Sequence, residues 1–254
     1  MRVLTVGSNG RVGQAVLTSL LNNPRTISVS AIVRDASRLK HMADNPKLTV
    51  VEASLLDLPA ADLANYVAGC DAVVCTLGHN LSWGRVPVLG IWAAPRDLVT
   101  QATRKIHEAI LASTTPSSTT PKKFVLLGTI GCTNPDGSDS PTYVRTTGEN
   151  VLISTLKALT PPYADSCTSL EYVVNEIGTT RDDQIQWCVV RPDGFLEKEK
   201  SEYRVEAVMD HPMFKPLKTT IANIGDFMAQ LVLDDAAWNK WKGKMPVIVD
   251  AVQG

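Results

Sequence analysis

Residues 6–13, VGSNGRVG, decide how the rest of this sequence is interpreted. The three glycines are spaced G-x-x-G-x-x-G, directly after a short apolar run and directly before a segment with helical periodicity. Glycine permits a tight turn and lets backbone N–H groups come close to a bound pyrophosphate, and a helix N-terminus favours negative charge. We therefore predict a phosphate-binding turn, although an ordinary strand-to-helix turn could carry the same glycines. Its residues are Gly7, Ser8, Asn9, Gly10, Arg11, Val12 and Gly13.

Short apolar runs alternate with helical patterns along the whole chain. In two segments the apolar residues recur on one helix face, from Val12 to Leu20 and from Leu98 to Ile110. Such alternation, with strands that are apolar throughout, is typical of a parallel sheet buried on both faces. We predict one domain over residues 1–254, an α/β Rossmann-like doubly wound parallel sheet with helices on both faces. The predicted strands are residues 3–6, 29–33, 48–51, 72–76, 124–127, 187–190 and 247–249.

Two stretches interrupt this alternation, and we expect them to form the walls of a substrate pocket. Residues 80–96 form a long predicted loop that contains Trp83 and Trp92. Residues 132–169 form a longer insertion with a predicted helix over residues 148–159. The two tryptophans indicate a flat, aromatic substrate, or else they only anchor the loop to the core.

The composition limits the class of partner. A formal net charge of −1, without a basic run or an acidic tail, gives no support for binding to nucleic acid or to a membrane surface. We expect a small-molecule substrate instead, and a monomer or homodimer. The five cysteines are odd in number and lack a Cys-x-x-Cys pair, which argues against a disulfide framework or a metal site. With no signal peptide expected ahead of the glycines, the predicted location is cytoplasmic.

Residues after the second and third predicted strands indicate which nucleotide is bound. Arg34 follows the second strand, where a cofactor ribose would lie, and its planar cation suits a 2′-phosphate, with Arg11 and Arg38 as helpers. Leu55 and Leu56 follow the third strand and could form an adenine wall. This pattern predicts NADP(H) as the cofactor, unless Arg34 is only a solvated charge at the end of a strand.

The fourth predicted strand ends in Thr76, Leu77 and Gly78, and His79 follows directly. In an open parallel sheet, ligands bind outside the carboxyl ends of the strands, so the first three residues are candidate cofactor contacts. His79 could reach the edge of the cofactor and contact the substrate. A histidine in a solvated loop would look the same in the sequence.

These motifs resemble those of the atypical short-chain dehydrogenases of the NmrA-like, NAD(P)-binding group, which includes biliverdin and flavin reductases. The resemblance extends nearly from end to end and is weakest in the insertion at residues 132–169. It implies that the turn after the sixth strand borders the nicotinamide, which makes Pro192 and Phe195 neighbours of the reactive ring. The blocks that carry it are VGSNGRVG, AIVRDASRLK, AGCDAVVCTLG, KKFVLLGT, WCVVRPDGFLE, IGDFMAQLV and WKGKMPVIVD.

The sequence departs from the larger short-chain dehydrogenase family at the proton donor. Most members carry a Tyr-x-x-x-Lys pair, and none of the five tyrosines here has a lysine four residues later. A phenol without a nearby cation keeps a pKa of about 10 and is a poor acid at neutral pH. Thr129, at the position that resembles the family's serine, and Glu171 are the candidate catalytic residues. Thr129 could instead bond its own backbone, and Glu171 could be a solvated helix carboxylate.

These expectations favour an NADP(H)-dependent oxidoreductase that transfers hydride to a small apolar, aromatic or quinone-like acceptor. Such an acceptor fits the missing acid, because the oxyanion formed on it is delocalised and needs hydrogen-bond donors more than a dedicated proton donor. Two alternatives remain open. One is a dinucleotide-sensing regulator of the NmrA type that does not turn over the cofactor, and the other is an isomerase or cyclase that uses the same pocket.

Overall fold

The computed structural model describes residues 1–79, 95–113, 120–132, 145–179, 184–209, 211 and 217–251. Their strands are β1 (Arg2–Val6), β2 (Ser28–Val33), β3 (Leu48–Glu52), β4 (Ala72–Cys75), β5 (Lys122–Leu127), β6 (Ile185–Pro192), β7 (Tyr203–Glu206) and β8 (Val247–Asp250). They form one sheet in the order β3-β2-β1-β4-β5-β6-β8-β7. All neighbouring strands are parallel except β7, which is antiparallel to β8. All seven predicted strands are therefore present.

The strand that the sequence analysis missed, β7, lies at the edge of the sheet. Its four residues are half-buried, and Arg204 and Glu206 form an ion pair at 3.0 Å. The register pairs Arg204 with Val249 and Glu206 with Val247 of β8. Charged side chains are common on edge strands, where they discourage pairing with other chains. Because β7 is short and partly charged, it shows no apolar run in the sequence.

Helices cover both faces of the sheet. They are α1 (Arg11–Leu21), α2 (Ala60–Ala68), α3 (Leu98–Ser113), α4 (Thr147–Leu159), α5 (Pro161–Tyr172), α6 (Ile221–Leu233) and α7 (Asp235–Trp241), with a 3₁₀ helix at Ala36–Met42 and a π-helical turn at Val173–Ile177. Strand residues alternate between two cores, so that Val3 belongs to one and Leu4 to the other. The first core packs against α1, α6 and α7, and the second against α2, α3 and α5. The doubly wound architecture is confirmed.

The helix faces predicted from the sequence point into these cores. Val12, Val16 and Leu20 of α1 are buried, and α1 packs along α6. In α3, Ala102 and Ile106 are completely buried. Because only residues 7–10 separate β1 from α1, the N-terminus of α1 lies at the carboxyl edge of the sheet.

The two predicted insertions are described only in part. Residues 80–94, which include Trp83 and Trp92, and residues 133–144 lie outside the described residues. The predicted helix at residues 148–159 is present as α4. It begins with a capping box in which Thr146 and Glu149 exchange hydrogen bonds. The next helix, α5, packs against both α3 and α4.

Three further features bear on the class of protein. No helix in the described part of the chain combines the length and apolarity that a bilayer span requires. Within the same residues, histidine, cysteine and acidic side chains form no group of three that could hold a metal ion. The cysteines are buried, free thiols at positions 70, 75, 132, 167 and 188.

Candidate functional site

An open cleft of about 890 Å³ lies at the carboxyl ends of the parallel strands. It crosses the point between β1 and β4 where the strand order reverses, with β2 and β3 on one side and β5 on the other. Open α/β sheets bind their ligands at this switch point. The predicted site residues that line the cleft are Gly7, Asn9, Gly10, Arg11, Val12, Arg34, Arg38, Leu55, Leu56, Thr76, Leu77, Gly78, His79 and Phe195.

The glycine turn forms the floor between the two sides of the cleft. Gly7 has a φ of +89°, and a Cβ placed on it would lie 2.6 Å from the backbone nitrogen of Leu77. Both the backbone conformation and the lack of space exclude a side chain here. The Gly10 N–H donates to the Gly7 carbonyl at 3.0 Å and closes the turn. Ser8 is buried behind the turn, where its hydroxyl bonds that of Thr5, and it does not line the cleft.

The N-terminus of α1 is suited to an anion. Its N-cap residue, Gly10, provides no side-chain cap, and the first turn contains no acidic residue. The N–H groups of a first turn have no partner within the helix, and with the helix dipole they attract a phosphate. Asn9 precedes them, and its buried Oδ1 has no hydrogen-bond partner among the described residues. Gly13 packs on the Gly7 carbonyl behind the cleft.

Two cations lie at the end of the cleft beyond β2. Arg34 and Arg38 are exposed, and neither forms an ion pair with another described residue. The neighbouring carboxylate of Asp35 accepts hydrogen bonds from the Ser37 hydroxyl and N–H, which lower the pKa of Asp35 and cap the 3₁₀ helix. Because Asp35 is engaged locally, the Arg34 guanidinium remains available to an anionic ligand group.

Residues after β3 and β4 complete this half of the cleft. Leu55 is buried and Leu56 is half-buried, and both line the cleft. Lys105 of α3 donates to the Leu56 carbonyl at 2.6 Å and so fixes the backbone after β3. In the middle of the cleft, the Thr76 hydroxyl donates to the Val6 carbonyl at 3.2 Å. This bond ties the end of β4 to the end of β1.

The other end of the cleft, on the side of β4, β5 and β6, is mainly apolar. Leu98 at the start of α3, Leu127 at the end of β5 and Ile221 at the start of α6 line it. Phe195 also lines the cleft and is 47% exposed. Pro192 is the last residue of β6, and it does not itself line the cleft. This end therefore offers flat apolar contacts and few polar ones.

His79 lies at the apolar end and is held by a buried carboxylate that the sequence analysis did not identify. Its Nε2 is 2.7 Å from Oδ2 of Asp165 in α5, and the two side chains are 3% and 1% exposed. Asp165 also accepts hydrogen bonds from the N–H groups of Val99 and Thr100 and from the Thr100 hydroxyl. The same carboxylate therefore caps α3 and orients the imidazole.

These hydrogen bonds determine the charge of Asp165. Burial alone would raise the pKa of its carboxyl group, but the bonds from His79, Thr100 and Val99 together outweigh burial and hold this pKa below its usual range. The carboxyl group is therefore ionised at neutral pH and can only accept hydrogen bonds. Nε2 of His79 must then carry a proton. The other ring nitrogen, Nδ1, is buried and has no hydrogen-bond partner among the described residues.

The two candidate catalytic residues from the sequence do not line the cleft. Thr129 is half-buried, and its hydroxyl oxygen accepts the Gly131 N–H at 3.4 Å. Glu171 forms an ion pair with Lys157 at 2.9 Å, and both side chains are roughly half-exposed. In this arrangement Thr129 stabilises its own turn, and Glu171 links α5 to α4.

The tyrosines that the structure describes provide no activated acid at the cleft. Tyr163 donates to the Gly131 carbonyl, and burial raises its pKa. The hydroxyl of Tyr172 bonds His107 at 3.0 Å, and burial raises the pKa of this tyrosine as well. None of the described tyrosines lines the cleft, namely Tyr66, Tyr163, Tyr172 and Tyr203.

The class of ligand follows from a family comparison. The profile of a family described as NAD(P)H-binding matches residues 7–235, from the first glycine of the turn to the start of α7. The chain belongs to this NAD(P)H-binding family. The prediction of a nicotinamide dinucleotide as cofactor is thereby confirmed. No curated protein matches the sequence.

Solved structures share the fold of this NAD(P)H-binding protein. The oxidoreductase ylbE from Lactococcus lactis is 19% identical with a TM-score of 0.65, and 100% of this chain and 93% of that chain are covered. A short-chain dehydrogenase/reductase (wide type) from Veillonella parvula in complex with NADP is 10% identical with a TM-score of 0.65, covering 99% and 95%. Gre2 from Candida albicans in complex with NADPH is 9% identical with a TM-score of 0.61, covering 98% and 78%. At these identities the likeness shows the Rossmann-like fold alone.

The residues of this NAD(P)H-binding protein fit a dinucleotide. The uncapped N-terminus of α1 and the closely packed Gly7 turn leave room and N–H donors for a pyrophosphate. The side-chain oxygen Oδ1 of Asn9 has no hydrogen-bond donor among the described residues, and it can accept a hydrogen bond from a donor group of the ligand. Arg34, which forms no ion pair with another described residue, suits the adenosine end, and the apolar end suits the nicotinamide ring.

Proposed function

We propose that this protein is an NADPH-dependent reductase that transfers hydride to a small apolar, aromatic or quinone-like acceptor. The observation that carries the proposal is the contrast between the two ends of the cleft. At one end, Arg34 and Arg38 are cations without an ion-pair partner among the described residues, and a guanidinium matches the 2′-phosphate of NADPH. At the other end, Leu98, Leu127 and Phe195 favour the face of a flat ring.

The residues of the chain bind, orient and shield the reactants. A bound reduced nicotinamide supplies the hydride. The Gly7 turn and the N-terminus of α1 would hold the pyrophosphate, and Leu98 and Leu127 would line the end that takes the nicotinamide ring. These apolar side chains exclude water from the reacting atoms. A conjugated acceptor spreads the negative charge that it gains, so it does not require the tyrosine of the larger family.

The finer classification is part of the same proposal. We assign the chain to the NmrA-like, atypical short-chain dehydrogenases as one domain over residues 1–254, in which residues 80–96 and 132–169 complete the substrate pocket. Catalysis by Thr129 or Glu171 stays a prediction from the sequence, and the position of both side chains outside the cleft argues against it. The five cysteines are buried free thiols, which supports a reducing, cytoplasmic location. We propose that the protein is a monomer or a homodimer.

Turnover assays with matched cofactors test the proposal. NADPH oxidation is followed with a panel of quinones and flavins, with NADH as the matched cofactor, and thermal unfolding reports binding. A nucleotide present at 100 times its Kd stabilises the folded protein by about 2.7 kcal/mol. Steady oxidation of NADPH with a quinone supports the reductase. Tight NADPH binding without turnover of any acceptor would favour the regulator, and rearrangement of a compound without net NADPH oxidation would favour the isomerase or cyclase.

A further inference from the structure

Reduction of a carbonyl or quinone requires a proton as well as a hydride. The hydride adds to carbon, and the negative charge that forms on the acceptor oxygen is neutralised when a proton arrives. Thr129 and Glu171 do not line the cleft, and the Tyr163 hydroxyl is committed to the Gly131 carbonyl. Of the residues that line the apolar end of the cleft, His79 alone has a side chain that can gain and lose a proton.

We propose that His79 donates this proton from Nδ1 and that Asp165 is the positioning residue that holds the ring for the transfer. The inference rests on the proposed reductase function and adds the proton donor to it. Imidazole is the side chain that most often transfers protons in catalysis at neutral pH. An imidazole oriented by a buried carboxylate is a recurring arrangement for such transfers.

The ring of His79 is fixed in orientation. Its Nε2 lies 2.7 Å from Oδ2 of Asp165, inside the protein. The carboxylate cannot follow a rotation of the ring, because the Val99 N–H at 2.7 Å, the Thr100 N–H at 3.0 Å and the Thr100 hydroxyl at 2.6 Å hold it against the first turn of α3. Nδ1 is therefore always the nitrogen that remains for a ligand.

Nδ1 of His79 lacks a partner among the described residues although it is buried. A buried polar atom without a hydrogen bond costs about 1–3 kcal/mol, and folded proteins contain few of them. His79 lines the cleft, and in the proposed complex an acceptor oxygen reaches Nδ1 and supplies the missing bond. The unpartnered Nδ1 destabilises the free protein, and a bound acceptor oxygen removes this destabilisation. Binding of an acceptor with an oxygen at this position is therefore favoured.

The transfer balances in atoms and electrons. Two electrons and one hydrogen, taken from NADPH as hydride, form a C–H bond on the acceptor, and the C=O π pair moves onto oxygen. The Nδ1–H bond of protonated His79 then breaks and an O–H bond forms. The acceptor has gained one hydride, which carries both electrons, and one proton. The ring is left neutral with its Nε2–H still on Asp165, and Nδ1 takes up a proton from water before the next turnover.

The test compares two histidine-to-glutamine variants. His79→Gln retains an amide N–H that can donate to Asp165 and loses the second ring nitrogen. His107→Gln is the matched control, because His107 is a buried histidine of α3 that does not line the cleft. With the quinone that the wild type reduces fastest, His79→Gln is expected to lower kcat by at least about 100-fold. The Kd for NADPH should change less than threefold in both variants, and His107→Gln should retain kcat within about threefold.

A second measurement reports the ring itself. In protein labelled with ¹⁵N-histidine, NMR should show a proton on Nε2 of His79. The Nδ1 signal should shift when NADP⁺ and the quinone are added together, because they form a dead-end complex that cannot react.

If the wild type oxidises NADPH and His79→Gln does so equally fast, the role of His79 is overturned and the reductase stands. If the wild type fails to oxidise NADPH with every acceptor tested, the reductase function is overturned, and the inference is overturned with it. The inference is also overturned if the Nδ1 chemical shift of His79 stays unchanged when the dead-end complex forms. It is likewise overturned if His107→Gln lowers kcat as much as His79→Gln does.

Discussion

A Cβ placed on Gly13 would lie 2.4 Å from the carbonyl oxygen of Gly7, far inside van der Waals contact. The first turn of α1 therefore packs directly on the turn that follows β1. At Gly10 the same atom would lie 3.3 Å from that oxygen, a distance that a small shift can relieve. The glycines of one motif thus have different roles, since Gly13 is required by the fold and Gly10 lies open to the cleft.

Substitution should separate these two roles. Gly13→Ala is expected to lower the free energy of unfolding by about 3 kcal/mol or to prevent folding, because the methyl group must push the backbone apart. Gly10→Val is expected to fold and to lose NADPH binding, because its branched side chain fills the space of the pyrophosphate. Urea denaturation and nucleotide titration measure the two effects. Wild-type NADPH affinity in folded Gly10→Val would rule out the phosphate-binding role of the turn.

Arg34 should determine the choice of cofactor. Arg34→Ala is expected to weaken NADPH binding by about 1.5–3 kcal/mol, the range for hydrogen bonds to charged groups, and to leave NADH binding nearly unchanged. Lys40→Ala is the matched control, because Lys40 is an exposed cation of the 3₁₀ helix that follows Arg34, and it does not line the cleft. Both cofactors are titrated against each variant. A wild-type preference for NADH, or equal losses for the two cofactors in Arg34→Ala, would show that Arg34 does not read the 2′-phosphate.

Removal of the Thr129 or Tyr163 hydroxyl group should have little effect on turnover. Thr129→Val and Tyr163→Phe are each expected to keep kcat within about threefold, because neither side chain lines the cleft. Tyr163→Phe should lower the free energy of unfolding by about 1 kcal/mol, since the Gly131 carbonyl loses its donor. Steady-state kinetics and urea denaturation check both variants. A loss of tenfold or more in Thr129→Val, with NADPH binding intact, would restore Thr129 as a catalytic residue.

Asp165 should make the stability of the protein sensitive to acid. Hydrogen bonds lower the pKa of its carboxyl group in the folded state, so its contribution is present above the unfolded pKa of about 4. The contribution is lost as the pH falls from there through the lower folded value.

Asp165→Asn should lower the free energy of unfolding at pH 7 by about 2 kcal/mol, because an amide cannot accept from all four donors. The exposed Asp62, in the first turn of α2, is the control, and Asp62→Asn should change stability by less than about 0.5 kcal/mol. Urea denaturation at pH 7 and at pH 3 measures both. An Asp165→Asn protein as stable as the wild type at pH 7 would contradict the assigned bonds.

The sequence places some residues in the cleft and leaves the role of others undecided. Arg34 and Thr76 both line the cleft, because each follows an apolar strand and the carboxyl ends of parallel strands meet at one edge. Thr129 also follows a strand, but it turns back to its own backbone, which the sequence allowed and could not decide. The strand β7 was missed because a half-buried edge strand does not need an apolar run.

The sequence by itself determined the sheet, the helix faces and the presence of the glycine turn and Arg34 at the carboxyl edge of the sheet. These features arise from local patterns, since glycine spacing, apolar periodicity and a charge after a strand act within one strand–turn–helix unit. Only the tertiary structure decided what the apolar end contains. Asp165 reaches His79 from 86 residues further along the chain, and it does so because α5 packs on α3. No local pattern distinguishes such a carboxylate from a solvated one, because its charge is stabilised by donors that only the packing of the helices brings within reach.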